Sequence, residues 1–168
     1  MKPKSSPLNI IDYALLNFEF GFIEPKGTEK TDIRSAFENY ELDIDFAIHG
    51  NEVLQVFIKA SINKGAKKLP GYSIFAEVAC AFEFNKNFDI EEKAKQDIGG
   101  FSTIYIALNA LRGLISQITA NAPFGRYMLP SIDLNDLIAQ KKQIVTKQKN
   151  KALNSNKNKK TGGKRSLK

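Results

Sequence analysis

The side chains in this sequence that could do chemistry are few, and each has a plainer use. The one histidine, His49, stands in the tight turn "HGNE" between two alternating apolar runs, with no visible catalytic partner. A general base needs a second group within hydrogen-bond reach, so a solvated turn residue is expected. Asp43 and Asp45 in "ELDIDF" make a carboxylate pair whose spacing puts both on one face of a strand, the polar face opposite Leu42, Ile44 and Phe46. The one cysteine, Cys80, excludes an intramolecular disulfide and a cysteine-based zinc cluster. Its setting, "EVACAF", is that of an inert buried thiol. "GGFS" (99–102) could cradle an anion through backbone N–H groups but lacks the spacing and lysine of a phosphate loop, and breaking the chain before a helix explains it better. "TGGKRS" (161–166) follows no strand. No nucleophile, metal-ligand set or cofactor signature remains, so no enzyme, metal or cofactor is expected.

What is unusual lies in "NAPFGRYMLPSIDLNDLI" (121–138), too irregular for helix or strand at its start yet carrying Phe124, Tyr127, Met128 and Leu129. Connections of this kind are ordinarily polar, and long apolar ones are usually functional.

The elements that must position this loop are legible from periodicity. Runs at 13–23, 40–48, 53–62 and 72–84 alternate with period two, as half-buried strands do. In the first, Leu16, Phe18, Phe20 and Phe22 are expected to share a face. The short, turn-rich connections "HGNE" and "NKGAKKLPG" join the last three strands into an antiparallel meander, while the connection 24–39 is longer and polar. From Phe101 the period becomes helical, with Ile104, Leu108, Leu111, Ile115 and Ile118 in register. A second helix opens at Asp133 as N-cap, with Leu134, Leu137, Ile138 and Val145 as its stripe. Strands first and helices second is α+β: a four-stranded antiparallel sheet with two C-terminal helices on one face.

Charge divides the chain. Of its 168 residues, 141–168 hold eleven Lys and Arg and no acid, whereas 1–140 hold fourteen bases against eighteen acids, a net of −4. The net charge of +7 therefore belongs to the end of the chain. One domain is expected over 1–145, followed by a basic, disordered tail over 146–168. There is no run of eighteen apolar residues and no signal-peptide pattern at the start, so no membrane insertion and a cytoplasmic location are expected.

The order of elements resembles the SecB family of export chaperones. The resemblance spans about residues 13–145 and is carried by Arg112 in the long helix, Phe124 after its end, Leu129 and Pro130 before the turn, and Ile132-Asp133-Leu134 opening the second helix. "YELDIDF" and "FAEV" are similar to the family's second and fourth strands. Gly125 replaces a family proline, and the basic tail departs from the family's short polar or acidic ending. The resemblance implies an ATP-independent holdase that keeps unfolded or precursor polypeptides in an apolar groove, with Phe124, Tyr127, Met128, Leu129, Leu134 and Leu137 as lining. It implies a sheet face that meets the translocase motor SecA, at Phe75, Glu77, Asn17 and Glu19. It also implies a dimer of dimers whose long helices pack closely, which the small residues Ala107, Ala110, Gly113 and Ser116 would allow. Divergent relatives serve toxin–antitoxin pairs, so an antitoxin is a second candidate client. Two rivals come from other classes. One is a nucleic-acid- or ribosome-associated protein acting through the basic tail; the other is a carrier enclosing an apolar ligand beneath the helices.

Overall fold

The computed structural model describes residues 1–25 and 32–161. The alternating runs pair as expected, because each buries one side and leaves the other polar. Strands β1 (Leu8–Ile23), β2 (Leu42–His49), β3 (Val53–Ile62) and β4 (Gly71–Phe84) form one antiparallel sheet in the order β1-β4-β3-β2. Gly50 turns β2 into β3 at φ 89°, where an added Cβ would come within 2.1 Å of the Val53 carbonyl oxygen. After β3, Asn63 adopts φ 53°. Its amide donates to the carbonyls of Leu69 (2.8 Å) and Tyr72 (2.7 Å) and its side-chain oxygen accepts from the Leu69 N–H (2.8 Å), folding the loop back into β4. Asparagine tolerates this left-handed backbone better than most residues.

β1 begins earlier than periodicity suggested and is not a simple strand. Register shifts between Ile10 and Asp12 and between Leu15 and Asn17 insert extra residues, Ile11 and Leu16. A bulge reverses which parity faces the core. Leu15, opposite Val78, therefore joins Phe18, Phe20 and Phe22 on the helix side, and Leu16 does not.

One face of β3 and β4 carries helix α3 (Thr103–Thr119). Val56, Ile58 and Ile62 from β3, Ile74, Val78 and Phe82 from β4, and Ile104, Leu108, Leu111 and Ile115 from α3 are each 3% exposed or less. Among the described residues, these side chains fill the space between α3 and the sheet. A separate opening of about 690 Å³ lies at the β2–β3 turn, lined by Ile48, Leu54, Phe84, Lys86, Glu92 and Lys95 among others.

Two short helices were not foreseen. α1 (Ile33–Glu38) interrupts the polar connection, capped by the Asp32 carboxylate accepting the Arg34 N–H at 3.0 Å. α2 (Glu92–Asp97) runs through a π-helical turn, Ile98–Ser102, straight into α3. "GGFS" is thus inside a helix and not before one, which removes any N-terminal anion cradle there. Gly99 is buried, and an added Cβ would lie 3.0 Å from the Leu54 side chain. By length and composition the stretch Glu92–Thr119 could cross a membrane, with a mean hydropathy of 1.3 in its most apolar window. Its apolar stripe is taken up by the sheet.

The chain divides into two compact units, Met1–Pro130 and Ser131–Lys168. The second holds α4 (Leu134–Thr161), capped as expected by the Asp133 carboxylate, which accepts the N–H groups of Asn135 (2.9 Å) and Asp136 (3.2 Å). Residues 146–161, expected to be disordered, continue this helix. Lysine, glutamine and alanine are good helix formers, no proline or glycine intervenes before Gly162, and extending a nucleated helix costs far less than starting one. Residues 162–168 of the expected tail lie outside the described residues.

Candidate functional site

The crossover loop is held by its own backbone needs. Thr119, fully buried at the end of α3, donates its hydroxyl to the Ile115 carbonyl (2.8 Å) and accepts the Tyr127 N–H (2.9 Å). Between them the chain turns at Gly125, whose φ of 76° favours glycine. The Tyr72 hydroxyl, reaching up from β4, accepts the Phe124 N–H (2.8 Å) and donates to the Gly125 carbonyl (2.9 Å). Arg112 closes the loop's far end: Nε donates to the Leu129 carbonyl at 3.0 Å and Nη2 to the Pro130 carbonyl at 2.9 Å. A fixed cation on two carbonyls gives physical content to the arginine on which the resemblance rested.

Held this way, the loop alternates. Tyr127 and Leu129 are each 2% exposed, whereas Met128 between them is 56% exposed. Tyr127, expected in a groove wall, packs instead into the domain, its ring 5.4 Å from Phe37 and 5.5 Å from Tyr40. Burial, and then the neighbouring Tyr40, push its phenol up to about 12. Leu129 likewise faces inward. Phe124 is half-buried and stacks on Phe22 at 5.3 Å. Leu134 and Leu137 lie in the second unit, on the first turn of α4.

Phe37 and Tyr40 were missed in the sequence. Tyr40 donates its hydroxyl to the Pro70 carbonyl (2.9 Å) and accepts the Tyr72 N–H (2.7 Å), while Phe37 lies against Tyr72 at 5.3 Å. The signal was present: Asp32 followed by Ile33 and Phe37 is a capped turn with apolar residues four apart. With Phe20, Phe22, Tyr72, Phe124 and Tyr127 they make a cluster of rings at one end of the sheet.

From that cluster an apolar row runs along β1. Ile10, Tyr13, Leu15, Phe20 and Phe22 point to the α3 side of the sheet, and all are between 40% and 56% exposed. α3 packs on β3 and β4 and leaves this row bare. Sixteen residues of strand extend about 50 Å. β1 is also an edge strand, so its outer backbone N–H and C=O groups face away from the sheet. An exposed apolar row beside a free edge is chemically suited to an extended polypeptide.

The opposite face gathers the four residues expected to meet a motor protein. Asn17 pairs with Glu77 and Glu19 with Phe75 across the β1–β4 ladder, so they are direct neighbours. They are not a bare acidic patch. Glu19 forms an ion pair with Lys64, whose ammonium sits 5.3 Å from the Phe75 ring centroid. Lys59 stands across the ladder from Glu77 and ion-pairs with Asp45 at 3.7 Å. His49 rests edge-on against Phe57 at 5.7 Å. Cys80 is buried, which pushes its thiol up to about 11. Among the described residues no cluster of three or more His, Cys, Asp or Glu could hold a metal ion.

No protein-family model matches the chain, and no curated protein matches it. Among solved structures it is similar to a SecB-like chaperone of Mycobacterium tuberculosis in complex with a ChAD peptide from the HigA1 antitoxin. That match has a TM-score of 0.49 and 16% identity, covering 76% of this chain and 91% of the other. It is also similar to a protein of unknown function from Streptococcus agalactiae, at a TM-score of 0.42 and 6% identity, over 74% of this chain and 97% of that one.

Proposed function

We propose that the protein is an ATP-independent holdase that receives extended, unfolded polypeptide along β1. The observation that carries this reading is the bare apolar row from Ile10 to Phe22 beside a free strand edge. Phe124 bounds one end, and Met128, exposed and flexible, supplies adaptable contact. Tyr127 and Leu129 position the loop rather than touch the client.

The magnitudes favour weak, repeated binding. A side chain already half covered gains about 1 kcal/mol on full burial. Five of these only just exceed an association cost of about 4 kcal/mol or more. Useful retention therefore requires several sites on one oligomer, and we assign the assembly to a dimer of dimers in the cytoplasm. As for the client, the compensated open face bears on the choice. A motor such as SecA docking through acidic groups would have to displace Lys64 from Glu19 and work beside Lys59. That favours a client of the antitoxin kind over precursor delivery to an export motor.

The test is suppression of aggregation of a denatured client without nucleotide. The full chain is expected to suppress it, and Ile10→Ser, Leu15→Ser and Phe22→Ser together are expected to weaken protection at least fivefold with helix content unchanged. Equal protection by the triple variant would remove β1 as the binding surface.

A further inference from the structure

We propose that α4 is a nucleic-acid-binding helix that engages the phosphate backbone without regard to base sequence. Its lysines have no part in the chaperone reading, and their placement on a capped helix is the new observation. Met1–Pro130 holds fourteen Lys and Arg against sixteen Asp and Glu, a net of −2. α4 holds eight lysines against Asp136 alone, a net of +7.

Structural uses account for only part of this. Cations in the last turn of a helix complement its dipole. That does not explain Lys142 and Lys147, both exposed and far from the helix end. From Lys141 to Lys160 the helix spans about 30 Å, with a lysine about every 4 Å. Duplex nucleic acid offers a negative charge about every 1.7 Å along its axis.

The distribution distinguishes the partner. A helix lying on a bilayer needs an apolar face, and beyond Val145 the only apolar residues of α4 are Ala152 and Leu153. Its lysine positions instead go around the helix, as suits a helix with phosphates on more than one side.

The experiment uses the full chain with a fluorescent random-sequence duplex DNA, a single-stranded RNA and anionic phospholipid vesicles, each titrated over a range of salt. Nucleic-acid binding is expected to weaken steeply with salt. Lys142→Gln, Lys147→Gln, Lys149→Gln and Lys151→Gln together should reduce the log–log salt slope by about 3 (roughly 0.7–0.9 per lost contact). They should also weaken low-salt binding at least tenfold. Arginine at the same four positions should preserve both, and the glutamine variant should suppress client aggregation as the parent does. Unchanged affinity and slope in the glutamine variant would overturn the proposal. So would binding to vesicles with none to either nucleic acid, or no binding to any of the three.

Discussion

Tyr127 illustrates how a single side chain takes its role from its surroundings. An aromatic ring in an apolar crossover loop could equally be displayed to a client or anchored in the domain. Here its N–H is held by Thr119 and its ring by Phe37 and Tyr40, so anchoring wins. The consequence is measurable in alkali. In the unfolded chain the phenol ionises near 10.0, but in the folded protein it keeps its proton to about 12. Between these values the unfolded state binds fewer protons than the folded one, so stability falls as pH rises. Tyr40 and Tyr72 are shifted in the same direction, again mainly by burial. Urea midpoints followed through this window should therefore decline less steeply for Tyr127→Phe than for the parent. An identical decline would mean that Tyr127 is not buried in solution.

Among the elements, α3 has two faces with different work. Its inner stripe is the core. Of the small residues in the long helix, Ala107 and Ser116 turned out to be buried there, leaving Ala110 and Gly113 toward the outside with the exposed Phe101 and Tyr105. An added Cβ at Gly113 meets nothing within 4 Å. In one chain, Gly113→Ala should therefore be accommodated and stabilise the helix by about 0.5–1 kcal/mol. If two long helices approach closely at this point, as we propose for a dimer of dimers, a large ring there has no room. Gly113→Trp is then expected to halve the assembly mass in light scattering while leaving each chain folded. Unchanged mass would take this helix out of the interface.

At the scale of the whole molecule, the division after Pro130 separates an acidic sheet unit from a basic helical one. The contacts that close the crossover loop, from Thr119, Tyr72 and Arg112, are all made before Ser131. A chain ending at Pro130 should therefore unfold cooperatively in urea and retain the near-ultraviolet circular dichroism of its buried tyrosines. A gradual, non-cooperative transition would show that α4 is needed to complete the fold.

The strands, the long helix and the capped start of α4 were legible in the sequence because alternation, helical spacing and an N-cap are local properties of a chain. Each depends on residues a few positions apart. Cys80 was legible as an inert thiol for the same reason. The two bulges of β1 were not, since an extra residue in a strand shows only against its partner, and that partner, β4, lies some sixty residues away. Nor was the sorting of the loop. Phe124, Tyr127, Met128 and Leu129 look alike as apolar residues, and which are anchored and which displayed follows from Tyr72, Phe37, Tyr40 and Thr119 arriving from other elements. The same holds for β1, where alternation announced an apolar face but only the course of α3 over β3 and β4 decided that it would stay bare. Periodicity tells which side of an element is apolar; what covers that side is a matter of packing between segments distant in the chain.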